Sequence, residues 1–207
     1  LGSTGSIGSA SLNIFSKNKK KFSIILLSAN SNYPSICNQI QKYRPKFFII
    51  NNFDVFKKVK KKYMNYKIKI LNNFSEINLK KIKFDITVSS IVGIAGLYPT
   101  IKFITHSKKL LLANKETIIC GWHIIKKLSK KNNTKVIPID SEHYSIDQLT
   151  KNSKDEDIEK IFLTASGGPF LNKSLKSFNS ISAVDAAKHP KWKMGKKISI
   201  DSSNLMN

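Results

Sequence analysis

The segment KVIPIDSEHYS, Lys135 to Ser145, ends an apolar run with Asp140, Ser141, Glu142 and His143 in succession. Read as an extended segment, it puts the side chains of Asp140 and Glu142 on the same side, because side chains alternate along a strand. Two hard carboxylate oxygens at a strand end suit Mg²⁺ or Mn²⁺, which take one or two protein carboxylates and complete an octahedron with water and substrate oxygens. The same residues also fit a solvated turn in which Ser141 or Glu142 caps a following helix. A D-x-E spacing alone does not choose between the two.

Other stretches carry chemistry of their own. GSTGSIG at the start sets Gly2, Gly5 and Gly8 three apart, ahead of a helical segment. Such a loop lets the backbone approach a pyrophosphate, which then rests on the amides of a helix N-terminus. The strand expected to enter the loop is missing, since only Leu1 precedes Gly2, and the chain reads as trimmed there. In SANSNY, the residues Asn30, Ser31 and Asn32 stand where an NAD-preferring fold places an acidic residue, which favours NADP. TASGGPF, Thr164 to Phe170, offers backbone amides and the Ser166 hydroxyl to an anion. AAKHPKWKMGKK, Ala186 to Lys197, reads as a lid over a phosphate, and ISIDSSNLMN, Ile198 to Asn207, as a short strand running into Ser202, Ser203 and Asn207.

The elements that must position these groups follow from periodicity. Apolar, β-branched runs predict strands at Phe22 to Ser28, Lys46 to Ile50, Ile68 to Leu71, Phe84 to Ile91, Lys109 to Asn114, Lys135 to Asp140 and Lys160 to Ser166. Most lack a polar face, as befits a parallel sheet covered on both sides. Helices are predicted at Pro34 to Tyr43 and Glu116 to Lys131, the second weakened by Gly121. The alternation implies right-handed crossovers and a doubly wound α/β sheet. The polar stretch Thr150 to Lys160 reads as a surface loop, and a domain change is expected near Ser141.

Composition bounds the function classes. The chain has 207 residues, 41% of them hydrophobic, and a formal net charge of +23. That charge invites nucleic-acid binding. Yet Arg44 is the only arginine, and a surface built to grip phosphates would use arginine's bidentate fork. The abundant lysine, asparagine and isoleucine all have AT-rich codons, so a biased genome explains the composition. No apolar run is long enough to span a membrane and no signal-peptide pattern is present, so a soluble protein is expected. Cys37 and Cys120 match no metal or redox spacing and are expected as free thiols in a reducing compartment.

Taken together, GSTGSIG, LLANKE, PIDSEH, LTASGGPF and HPKWKMGKKISIDSSNLMN resemble the 1-deoxy-D-xylulose 5-phosphate reductoisomerase family over nearly the whole chain. The resemblance implies a Rossmann-like NADPH-binding domain over residues 1–140 and part of an α+β catalytic domain over 141–207, with the family's C-terminal helical domain absent. It implies a homodimer, a sugar-phosphate substrate, and neither specific nucleic-acid nor membrane binding. Carried onto this sequence, Asp140 and Glu142 would hold Mg²⁺ or Mn²⁺, with Co²⁺ as an option. Ser141, Ser166, Ser202 and Asn207 would hold the substrate and its phosphate, with His189 beside them. Lys115 would face the substrate and the nicotinamide, while Trp192 and Met194 would belong to a flap. The cofactor would lie on Thr4, Gly5, Ser6 and Ile7, with Ala29, Asn30, Ser31 and Asn32 around its adenosine end and Asn114 and Glu116 nearer the nicotinamide. The catalytic set is therefore Lys115, Asp140, Glu142 and His189.

The implied reaction is a metal-assisted rearrangement of the ketose phosphate to a branched aldehyde, followed by hydride transfer from NADPH to give 2-C-methyl-D-erythritol 4-phosphate. Two departures bear on it. Ser31 stands where the family often has a basic residue, and the chain stops four residues before a glutamate that is the family's third metal ligand. This segment alone is expected to be inactive. A bacterial cytoplasm is the default location, or a plastid for a plastid-bearing host. The competing readings are another NADP-linked Rossmann enzyme, such as a semialdehyde or homoserine dehydrogenase relative, and a non-catalytic dinucleotide-binding or nucleic-acid-binding module.

Overall fold

A computed structural model describes residues 1–164, 166–191 and 195–202. The chain divides into two compact units, Leu1–Lys151 and Asn152–Asn207.

The first unit is built from repeated strand–helix–strand turns. Strands β1 (Leu26–Ala29), β2 (Phe47–Ile50) and β3 (Lys69–Leu71) form one parallel sheet in that order. Strands β4 (Phe84–Ser89), β5 (Ser107–Leu112) and β6 (Lys135–Pro138) form a second. Helix α1 (Ser6–Lys17) follows the glycine loop. Helices α2 (Tyr33–Tyr43) and α3 (Phe53–Lys62) carry the first set of crossovers, α4 (Leu97–Ile104) and α5 (Lys115–Asn132) the second, and α6 (Ser141–Thr150) follows β6. All six strands match runs predicted from the sequence, and α2 and α5 match the predicted helices to within a residue at each end. Helix α6 packs on β6 and so belongs to the first unit, although it lies beyond the domain change expected at Ser141.

Local chemistry explains the boundaries. Asparagine starts three helices with its side-chain oxygen: Asn32 accepts from the Ser35 amide, Asn52 from Val55 and Asn114 from Thr117. Such caps satisfy amides that the first helical turn leaves without partners. Helix α5 departs from helical geometry at Gly121.

Strand β2 buries both faces. In β2, Phe48 and Ile50 join Leu27, Ile36, Ile40, Val59 and Tyr63 in one cluster, whereas Ile49 joins Phe74, Phe84 and Phe103 in another. Burial of both faces is what the near-continuous apolar strand sequences require. Cys37 is buried in the first cluster and Cys120 is exposed; neither forms a disulfide.

The chain start lies between the two sheets. The Leu1 amine donates to the Val88 carbonyl at 2.7 Å and the Ser90 amide donates to the Leu1 carbonyl at 3.1 Å, while the Ser3 amide donates to the Ser28 carbonyl at 2.8 Å. Leu1 to Ser3 thus touch β1 on one side and the end of β4 on the other.

The second unit is irregular. It contains short 3-10 turns, a four-residue helix α7 (Ala183–Ala186) and helix α8 (Lys196–Asp201), which packs on the 3-10 turn Gly168–Phe170. Two strand predictions fail here. Among the described residues, 160–164 pair with nothing, and Ile161, Phe162 and Leu163 are exposed. An apolar run becomes a strand only beside an edge that accepts its backbone, and the described residues of this unit supply none. The run from Ile198 is helical instead, held by local bonds such as Ser199 amide to Gly195 carbonyl.

Candidate functional site

The glycine loop is tied down from three sides. Gly2 has φ +78 and lies so close to Ser90 that an added Cβ would come within 2.9 Å of its backbone. Only glycine takes that conformation at little cost. Gly8 lets α1 pack against the Gly2 carbonyl and Ser3. Ser3 is buried; its hydroxyl is 2.6 Å from Gln39 Oε1 on α2, and Gln39 Nε2 donates back to the Ser3 carbonyl at 2.9 Å. Sequence reasoning passed over Gln39. Its signal was a polar residue on the stripe of α2 that carries the buried Ile36 and Ile40.

That anchoring leaves Thr4 partly exposed and Gly5, Ser6 and Ile7 exposed at the N-terminus of a twelve-residue helix. Amides there and the helix dipole favour a bound anion. At the end of β1, Ala29 is buried, while Asn30, Ser31 and Asn32 just past it are exposed. Asn32 is also the cap of α2, so its side-chain oxygen has a structural duty.

Beyond β5, Asn114 is buried. Its Oδ1 caps α5, and its Nδ2 donates to the carbonyls of Ile91 and, at 2.8 Å, Gly93. Its polar atoms are therefore occupied in joining the β4 and β5 loops. Lys115 and Glu116 follow in the first turn of α5, half-buried.

Beyond β6 the carboxylates depart from the sequence expectation. Asp140 and Glu142 do not lie on an extended segment: β6 ends at Pro138, Asp140 is the N-cap of α6, and Glu142 is in its first turn. The capping oxygen explains the difference, since Asp140 Oδ1 accepts from the His143 amide at 3.1 Å and contacts His143 Nδ1 at 2.7 Å. The other oxygen, Oδ2, is buried with no hydrogen-bond partner. A buried carboxylate oxygen without a donor is an atom suited to a cation. Ser141 donates to Glu142 Oε2 at 2.8 Å. No cluster of three or more His, Cys, Asp or Glu side chains forms among the described residues.

These groups share one edge of the first unit. In both sheets the strands are parallel; Ala29 ends β1 and Asn30 to Asn32 follow it, while Asn114 to Glu116 and Asp140 to Glu142 follow the C-terminal ends of β5 and β6. Open α/β sheets bind ligands at that edge, at the point where strand order reverses.

The second unit brings together Ser166 and His189. His189 Nδ1 accepts from the Lys191 amide at 3.1 Å, which leaves the proton of the neutral ring on Nε2, 2.9 Å from Ser166 Oγ. The Gly168 amide also donates to Ser166 Oγ, at 3.3 Å. With both lone pairs engaged, the Ser166 hydroxyl keeps its own proton for another acceptor. Ser202 is buried at the end of α8 and donates to the Ser199 carbonyl at 2.6 Å. Trp192, Met194, Ser203 and Asn207 lie outside the described residues.

Comparison with known proteins then decides the family. Residues 1–121 match the family model for 1-deoxy-D-xylulose 5-phosphate reductoisomerase, and residues 136–207 match the model for its C-terminal domain. The chain belongs to the 1-deoxy-D-xylulose 5-phosphate reductoisomerase family. Reductoisomerases similar to it include that of Pelagibacter ubique, 47% identical over the whole chain and 54% of the relative, and that of Clostridium novyi, 43% identical over the whole chain and 55% of the relative. A crystal structure of a reductoisomerase with NADPH, fosmidomycin and magnesium superposes with TM-score 0.85 at 33% identity, covering the whole chain and 54% of that one. The Zymomonas mobilis reductoisomerase in complex with NADPH gives TM-score 0.84 at 28% identity, covering 53% of that chain. The chain thus spans about half the length of the reductoisomerases it matches. No helix among the described residues is long and apolar enough to cross a membrane.

Proposed function

We propose that the protein carrying this chain converts 1-deoxy-D-xylulose 5-phosphate to 2-C-methyl-D-erythritol 4-phosphate with NADPH and Mg²⁺ or Mn²⁺. The observation that carries the reading is that the Lys115 turn and the Asp140 carboxylate follow the C-terminal ends of β5 and β6, while the glycine loop leading into α1 is bonded through Ser3 to Ser28 near the end of β1. Family membership supports it, as do relatives solved with NADPH and with magnesium.

In this reading the amides of Thr4 to Ile7 hold the cofactor's pyrophosphate, and Ala29 to Asn32 border its adenosine. Absence of a carboxylate among them tolerates a 2′-phosphate. Asn114 and Glu116 border the nicotinamide, and Lys115 faces the substrate. Asp140, through its unpartnered Oδ2, and Glu142 hold the divalent ion. When bound, the ion supplies Lewis acidity toward the substrate's neighbouring oxygens, and NADPH supplies the hydride. Ser141, Ser166, Ser202 and Asn207 grip the substrate, with Ser166 donating its remaining proton to a phosphate oxygen and His189 fixing its orientation. Binding energy from the phosphate, away from the reacting carbons, then serves orientation and closure by Trp192 and Met194. Residues 1–140 act as the cofactor domain and 141–207 as part of the catalytic domain.

The protein works as a homodimer, for which exposed Phe162 and Leu163 offer apolar surface. It works in a bacterial cytoplasm, as the bacterial origin of the named relatives supports.

The test is NADPH consumption by the protein at its relatives' length, with and without Mg²⁺, on addition of the deoxyxylulose phosphate. Metal-dependent consumption yielding the methylerythritol phosphate is expected. NADPH binding without turnover in either condition would reduce the reading to a dinucleotide-binding module.

A further inference from the structure

We propose that Gln39 on α2 is a positioning residue for the cofactor: by gripping Ser3 it locks the plane of the Ser3–Thr4 peptide, so that the Thr4 amide faces the anion held at the start of α1. The inference rests on the NADPH reading above and adds to it a residue buried behind the glycine loop.

Gln39 and Ser3 hold one another by two bonds. The Ser3 hydroxyl lies 2.6 Å from Gln39 Oε1, and Gln39 Nε2 donates to the Ser3 carbonyl at 2.9 Å. A carbonyl oxygen only accepts, so the second bond fixes which way the side-chain amide points. Oε1 also only accepts, and it takes the Ser3 hydroxyl proton ahead of the Ser28 carbonyl, which lies farther off at 3.1 Å. Gln39 is 8% exposed and Ser3 3%. The Ser3 amide donates to the Ser28 carbonyl on β1 at 2.8 Å, and Ser9 on α1 adds a longer bond to the Ser3 carbonyl at 3.4 Å. Every polar group of Ser3 is thus engaged by a regular element behind the loop.

The consequence reaches Thr4 through the peptide bond. In a trans peptide the C=O and the N–H that follows it point in opposite directions. With the Ser3 carbonyl drawn toward α2, the Thr4 N–H is turned away from α2. Thr4 is partly exposed and leads into exposed Gly5, Ser6 and Ile7 at the start of α1, so its amide joins those of the first helical turn. A flipped peptide would present the Ser3 carbonyl to the anion instead. Glycines flank this peptide and permit either orientation, so the choice has to come from outside the loop.

Stability alone does not call for the pair. A buried, fully paired amide contributes little beyond an apolar side chain of the same shape, and Ile36 and Ile40 show that this stripe of α2 accepts aliphatic residues. What the pair supplies is direction. It also makes α2 a brace, since the helix starts at Asn32, beside the proposed adenosine border, and about two turns later grips the proposed pyrophosphate loop.

The test is NADPH fluorescence titration and steady-state kinetics on the protein at its relatives' length. Gln39→Met removes both bonds at similar side-chain size; it is expected to raise the Kd and the KM for NADPH about tenfold or more while the KM for the ketose phosphate stays within about twofold. Ser3→Ala keeps the Nε2-to-carbonyl bond and should lose less. Cys37→Ala is the control for mere loss of stability, because Cys37 is buried on the same helix, two residues before Gln39. It should leave NADPH affinity near the parent's, and a loss there as large as that of Gln39→Met overturns the proposal. Equal affinity in parent and Gln39→Met also overturns it. Should Gln39→Met fail to fold, Gln39→Glu reads the same bond, since a carboxylate accepts from the Ser3 hydroxyl but cannot donate to its carbonyl; weaker NADPH binding supports the proposal and parental affinity overturns it. A parent that binds no NADPH overturns the functional reading and this inference together. One that binds NADPH without turnover overturns only the former, and the affinities still decide the latter.

Discussion

Ser166 Oγ stands 2.9 Å from His189 Nε2, with the opposite ring nitrogen held by the Lys191 amide. The histidine is therefore a fixed donor that turns the serine's own proton outward. Ser166→Ala should weaken binding of a phosphate monoester by roughly tenfold, the loss of one hydrogen bond to a charged group. His189→Gln, which can keep an N–H donor, should lose less than His189→Ala. Calorimetric titration of the variants checks the order.

Asn114 acts on stability before it acts on any cofactor. Asn114→Ala removes the cap of α5 and leaves the Ile91 and Gly93 carbonyls without their donor. The expected cost is about 2–4 kcal/mol, adding a lost cap to buried unpaired carbonyls. Asn114→Asp keeps the capping oxygen but not the donors, and should also destabilise. Urea unfolding at constant slope measures both.

Asp140→Asn separates cap from charge. The amide oxygen can still accept from the His143 backbone, so α6 should form, while the carboxylate oxygen that lacks a donor is replaced. Mg²⁺ should raise the unfolding temperature of the parent chain and have little effect on the variant. A shift of equal size in both would remove Asp140 from the metal site.

Much of the first unit was legible because its strands advertise themselves. A run such as FFII buries both faces, and Asn32, Asn52 and Asn114 mark helix starts. Pairing partners were not legible. IFL at 161–163 has strand composition but no edge to join, and the run from Ile198 settles as α8 on local bonds. At Asp140, the spacing of two carboxylates said less than the identity of the first, since aspartate before SEH is a helix cap. Gln39 is visible only once α2 is drawn as a wheel and a polar side chain falls among its buried isoleucines.

Helix α6 fully buries none of its residues, so its attachment rests on the Asp140 cap, the half-buried Glu142, Ile146 and Thr150, and its contact with β6. Such a segment lies at the low end of local opening free energies, well below the packed strands beside it. Warming should unwind it while the sheets persist, carrying Glu142 away and leaving Asp140 at the strand end. If Asp140 and Glu142 hold the ion as proposed, its affinity is coupled to a helix–coil equilibrium, and heat should release the ion before it melts the fold.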